Sequence, residues 1–167
     1  MSLIEQYFQQ TGMLRGFQTK LLDGLDDAQG YWQPSPNIPP IAWHLGHMIY
    51  VEASVFLGLV KGAADPEIGS YQKHYRMGTV LPEPIAALPK LSEVRKLGEA
   101  WRPRVAEFLK TLNPHELERP LNVPAGIEVP AFLKTTGDCL RALAVHEGHH
   151  NGEISLLRRL QGLQGFI

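Results

Sequence analysis

The chain has one cysteine, Cys139, among 167 residues, so no disulfide framework supports it and a reducing compartment suits it. It has no apolar run near the roughly 20 residues that a bilayer-crossing helix needs. The amphipathic opening MSLIEQYFQQTGMLRG lacks the basic n-region and apolar h-region of a signal peptide. Excess charge is missing too: 16 Lys and Arg stand against 17 Asp and Glu, which leaves no field to gather nucleic acid or an anionic membrane surface. A cytoplasmic protein with neither partner is expected. A chain of this length buries roughly two-thirds of its unfolded surface unaided. We therefore expect a single domain over 1–167, without repeat, low-complexity tract or linker.

What is there reads as helix. Ser2 and Glu5 form a capping-box pattern, and Leu14, Phe17, Leu21 and Leu25 recur at helical spacing, which predicts a first helix to about Leu25. QGYWQPSPNIPP reads as a loop, with Pro39-Pro40 suited to the first turn of a second helix that runs to about Val60, before Gly62. Seven glycines and prolines between 62 and 90 forbid a long helix there, and a loop of that length is usually functional or mobile. A third helix follows, with Ser92 as candidate cap, Val94, Leu97, Trp101, Val105, Phe108 and Leu112 on its core face, and a kink expected at Pro103. After a helical turn at Asn113-Pro114 and an irregular stretch, the fourth helix starts near Thr135, where Asp138 completes a cap, and ends near Gly162. The fold class predicted is all-α, a four-helix bundle with a long loop between helices two and three; an open helical array is the alternative.

Five of the seven histidines lie in two short segments, IAWHLGHMIYVE at 41–52 and VHEGHHNGEISLLRRL at 145–160. At about 100° per residue, the core stripe of helix four contains Cys139, Leu143, His146, His150, Ile154 and Leu157. His44 falls in the stripe of helix two. His149 and His47 fall at the margins of theirs. The i, i+4 pair His146 and His150 stacks two imidazoles on one face, and His44 from the facing helix gives a third corner. These three are the predicted metal ligands, and three nitrogens leave a position for water or substrate, as in catalytic sites. Imidazoles suit zinc, nickel, iron or copper alike. Without a metal the same histidines would have to be satisfied in the core by carbonyls or carboxylates.

Other polar residues are open to two readings. Glu153 borders the histidine face and is either a partner of a ligand imidazole or an ordinary boundary carboxylate. Glu52, two turns beyond His44, is either such a partner or a member of a buried ion pair. Cys139 lies about 10 Å along the helix from His146, too far for a ligand, and reads as a small core residue. Arg158 and Arg159 complement the helix dipole. Trp43 and Trp101 read as core or rim aromatics.

The paired segments PSPNIPPIAWHLGHMIYVEASVF and HEGHHNGEI resemble the DinB-like superfamily, and WHLGH looks like the DinB-like domain of ergothioneine-type sulfoxide synthases. The similarity extends to the loop around YQKHYRMG and the helix SEVRKLGEAWRPRVAEFL. The resemblance implies a four-helix bundle with a divalent ion, zinc or nickel first and iron as an alternative, held by one histidine of the second helix and an HxxxH pair of the last. By position these would be His44, His146 and His150. It further implies a small-molecule substrate, a low-molecular-weight thiol or thiol conjugate, handled by a transferase or hydrolase. In such an enzyme His47, His149 or Tyr75, at the rim, are our candidate proton carriers. The chain stops at Ile167 without the second domain of the sulfoxide synthases, so that reaction is not expected of it alone. A non-catalytic metal- or ligand-binding stress or damage-inducible protein is the alternative function, and a bundle that merely tolerates inward histidines is the structural one. A homodimer is expected of a small soluble chain.

Overall fold

The computed structural model describes residues 1–167 apart from 64, 77, 122, 124–127, 166 and 167. In chain order its helices are α1 (Leu3–Leu22), α2 (Asp27–Tyr31), α3 (Ile41–Ala53), α4 (Pro66–Ser70), α5 (Gln72–Tyr75), α6 (Leu91–Lys110), α7 (Pro114–Leu117) and α8 (Thr136–Leu160). A π-helical segment, Ser54–Val60, extends α3, and a 3₁₀ turn spans Ile85–Ala87. No strand occurs among the described residues, and no helix there is long and apolar enough to cross a membrane.

Local chemistry sets the helix ends. The Ser2 hydroxyl accepts from the Glu5 amide at 3.2 Å, and the Ser2 amide donates to the Glu5 carboxylate at 2.6 Å. Thr135 and Asp138 repeat this box at the start of α8, with bonds of 3.1 and 3.0 Å. Gly62 and Gly162, at φ +73° and +77°, take the left-handed conformation that ends a helix without a Cβ penalty. Three expectations need correction. The first helix stops at Leu22, and Asp26 caps the separate α2, so the expected loop begins only after Tyr31. Pro40 caps α3 from outside its first turn. Ser92 is no cap: α6 starts at Leu91, and the Ser92 amide and hydroxyl donate to Asp27 at 2.9 and 3.0 Å, tying α2 to α6. α6 itself continues through Pro103 to Lys110.

The four long helices pack as a bundle in which α8 lies along α1 and α3, and α3 lies along α6. The core is built from Ile41, Leu45 and Ile49 of α3, Trp101 and Leu109 of α6, and Leu140, Ile154 and Leu157 of α8, all buried. Each such side chain contributes about 1.5–3 kcal/mol of transfer free energy. α1 and α6 face each other across a cleft of about 640 Å³, with Arg15 and Gln18 on one wall, Arg95 and Arg102 on the other and Leu45 and Ile49 of α3 between them.

Beside this cleft a polar network is buried in the bundle. Arg15 donates to Glu52 at 2.6 Å and to Glu147 at 3.0 Å, Arg102 reaches Glu147 at 3.3 Å, and the Tyr7 hydroxyl donates to Glu52 at 2.7 Å. Two cations face two carboxylates, which is the condition for holding charge away from water. Burial pushes the Glu147 carboxyl up, while Arg15 and Arg102 oppose that shift. Glu52 is thus an ion-pair member, one of the two readings its position allowed. Arg158 does more than complement a dipole: its guanidinium donates to the Leu21 carbonyl at 2.7 Å, closing the end of α1.

The loop between α3 and α6 folds back so that α5 packs on α3. The Tyr75 ring lies on Gly46, where a Cβ would fall 2.3 Å from two ring carbons. Gly46→Ala should therefore displace Tyr75 and lower stability by about 1–3 kcal/mol. Gly12→Ala, on α1 with nothing within 4 Å of the added carbon, should instead raise it by up to about 1 kcal/mol. Urea unfolding of the two variants beside the parent measures both.

Candidate metal centre

α3 and α8 bring four imidazoles into one chain of contacts. His44 Nδ1 lies 2.9 Å from His150 Nδ1, His150 Nε2 lies 3.0 Å from His146 Nε2, and His146 Nε2 lies 3.1 Å from His47 Nε2. His47, His146 and His150 each turn one ring nitrogen into a common space, all within 4.8 Å of one another, and this group could hold a metal ion. His44 is buried and inward as its periodicity predicts, but it stands behind His150, against the nitrogen of that ring that faces away from His146.

His47 is the correction. Placed at the rim by the helical wheel, it is 3% exposed. α3 has no rim at this level, because α6, α8 and α5 cover it from three sides. The covering that matters comes from the loop: His47 Nδ1 donates to the Tyr75 carbonyl at 2.6 Å. A neutral imidazole has one N–H, so spending it on a carbonyl leaves Nε2 as a bare lone pair. Trp43 stacks on the same ring at 4.6 Å and 10°, and its indole donates to the His74 carbonyl at 2.9 Å. The His47 ring is therefore held at its Nδ1 edge by Tyr75 and on one face by Trp43, which the His74 carbonyl anchors.

As neutral rings, the three imidazoles cannot pair all of their facing nitrogens with one another. The His47 lone pair faces His146 Nε2, which also faces His150 Nε2. If His146 Nε2 carries a hydrogen it can point it along one of these contacts only. If it carries none, the contact to His47 is lone pair against lone pair. A cation at the centre satisfies all three nitrogens together. Two of the three separations fit such a centre: metal–nitrogen bonds of about 2.0–2.1 Å place neighbouring donors about 2.9 Å apart at a right angle and about 3.3 Å apart at the tetrahedral angle, and these contacts are 3.0 and 3.1 Å, while the third pair lies within 4.8 Å.

Burial also keeps the rings in the form that binds metal. Desolvation, reinforced by neighbouring imidazoles, pushes His44 and His146 down to about 4 and His150 down to about 2. His47 is lowered by burial as well, against the pull of the Tyr75 carbonyl. All four are neutral at physiological pH.

The remaining candidates fall outside the cluster. His149 is exposed on α8, its ring 5.0 Å from that of His150. The Tyr75 hydroxyl is buried without a hydrogen-bond partner, so its backbone and not its phenol serves the site. Glu153 is half-buried and forms no hydrogen bond to the imidazoles among the described residues. Burial raises the Cys139 thiol to about 11, which fits a core residue and no nucleophile. Trp101 is core. Sequence reasoning missed Glu147, since an acid beside a histidine motif reads as part of that motif, whereas here it points across α8 to Arg15.

A bundle with a buried, convergent group of imidazoles between two of its helices belongs among the helical proteins equipped to hold a metal ion. The chain is a member of the DinB superfamily, whose pattern it matches over residues 15–154. No curated protein matches it.

The lowered histidines fix a pH dependence. Unfolded, each titrates near 6.5, whereas His44 and His146 titrate near 4 in the fold. The unfolded chain therefore binds more protons below pH 6.5, and stability present above that value is lost as pH falls toward 4. For His44 alone the loss amounts to about 3 kcal/mol. Urea midpoints of the metal-free protein should decline already between pH 6.5 and 5, above the carboxylate range. A flat profile there would contradict buried neutral imidazoles.

Proposed function

We propose that this DinB superfamily member is a divalent-metal-dependent enzyme acting on a low-molecular-weight thiol or thiol conjugate, by transfer or hydrolysis, with His47, His146 and His150 as ligands. The observation that carries the reading is the convergence of three ring nitrogens, one of them fixed as a lone pair by the Tyr75 carbonyl. An all-imidazole set suits zinc or nickel, with iron as the third choice. Bound there, the ion would supply Lewis acidity and lower the pKa of a thiol placed on its open position.

The protein's own residues support this division of labour. Three neutral donors leave the full double charge of an ion uncompensated, so an anionic fourth ligand such as a thiolate is favoured. The thiol must come from outside, because Cys139 is buried and its proton is held tightly. Trp43 and the Tyr75 carbonyl lock the His47 ring, and the less buried His146 gives the side of approach. His149, exposed beside His150, is the candidate for exchanging protons with solvent.

A second reading, a non-catalytic metal- or ligand-binding stress protein, has one observation in its favour. Glu52 and Glu147 are consumed by the arginines and the Tyr75 hydroxyl is enclosed, so His149 is left as the exposed titratable group against the cluster.

Protein stripped with a chelator and titrated with zinc or nickel should take up one equivalent and gain thermal stability by mass action, about 4 kcal/mol at a thousandfold excess over Kd. His47→Ala should abolish both effects. Metal-dependent turnover across a panel of cellular thiols and electrophiles then supports the enzyme. Metal binding without turnover supports the second reading, and failure to bind stoichiometric metal sinks both.

A further inference from the structure

We infer that His44 is a positioning residue that accepts a hydrogen bond from His150 Nδ1 and so leaves His150 Nε2 bare toward the centre; the inference rests on the metal reading of the preceding subsection.

The argument starts from the 2.9 Å contact between His44 Nδ1 and His150 Nδ1. At that distance one of the two nitrogens carries a hydrogen and the other accepts it. The choice decides what His150 presents at its other end. If His44 donates, His150 Nδ1 is bare and its hydrogen sits on Nε2, aimed at His146 Nε2 3.0 Å away and blocking the centre. If His150 donates, its Nε2 is a lone pair and joins those of His47 and His146.

An ion held at the centre needs the second arrangement, because His150 can join it only through a bare Nε2. In that arrangement the hydrogen of the His44 ring sits on Nε2, which is buried and has no hydrogen-bond partner among the described residues. A hydrogen on Nε2 leaves Nδ1 free to accept from His150. The order is then His44, His150, centre. It parallels the Tyr75 carbonyl, His47, centre on the other branch. Each imidazole is oriented by an acceptor on its far nitrogen, as ligand histidines are elsewhere. On one branch the acceptor is a carbonyl, and on the other it is a second imidazole.

Two residues of one helix thus divide the work. His47 faces the centre. His44, three positions earlier, holds the partner that comes from α8.

Nitrogen-15 spectra of histidine-labelled protein, metal-free and zinc-loaded, read the tautomers directly. His150 Nδ1 should appear protonated and His44 Nδ1 bare, with a coupling across the hydrogen bond between them; the opposite assignment in the metal-free protein overturns the inference without reference to any metal. Zinc competition titrations add a second measurement. His44→Phe should weaken zinc binding by about 10–100-fold with X-ray absorption still counting three imidazoles, and His44→Asn, whose amide oxygen can accept from His150, should recover part of the loss. Unchanged affinity in His44→Phe, or loss of one imidazole from the metal, overturns the positioning role while leaving the site itself standing. If wild-type protein binds no zinc and His47→Ala behaves identically, the metal reading falls, and this inference with it.

Discussion

Everything proposed for this protein depends on His146 Nε2, which has two ring nitrogens at hydrogen-bond distance and at most one hydrogen to give. The rings that flank it, His47 and His150, are buried, and His146 itself is half-buried. The bundle is arranged around that deficit. α8 supplies two of the imidazoles one helical turn apart, α3 supplies the third, and α5 supplies the carbonyl that removes the last freedom from His47.

α8 separates two polar systems that solve burial in opposite ways. On the side facing α3, the imidazoles stay uncharged because desolvation lowers their pKa values. On the side facing α1 and α6, the charges remain and are balanced, Arg15 and Arg102 against Glu52 and Glu147. His146 and Glu147 are neighbours in sequence and belong to different systems, because about 100° of helix turns them apart. The ion network contributes registration between α1, α3, α6 and α8 more than net stability, since each buried charge costs desolvation that its partners only offset. Its position one residue from the imidazoles ties that registration to the alignment of the site.

The bundle was legible in the sequence wherever a local rule governs. Ser2 with Glu5, Thr135 with Asp138, and the terminating glycines 62 and 162 mark ends with a side-chain or φ requirement, and the structure places helix ends at or within two residues of them. His146 and His150 were legible because α8 keeps an exposed side, so its stripe has a defined centre. α3 gave less. Ten of its thirteen residues are buried, and a helix covered nearly all round has no apolar stripe to distinguish inward from marginal. That is why the wheel selected His44 and left His47 at a rim that the fold does not have. The deciding contact, from the Tyr75 carbonyl, belongs to a segment whose sequence announces only that it is not a long helix. Backbone acceptors carry no residue-type signature, and no periodicity reveals them.

The most direct measurement of the central claim is a crystal structure of zinc-soaked protein with anomalous data at the zinc edge. The account predicts one anomalous peak about 2.0–2.1 Å from Nε2 of His47, His146 and His150, with His44 outside bonding distance against His150 Nδ1. A peak bonded to His44 in place of His47, or no peak between α3 and α8, would contradict it.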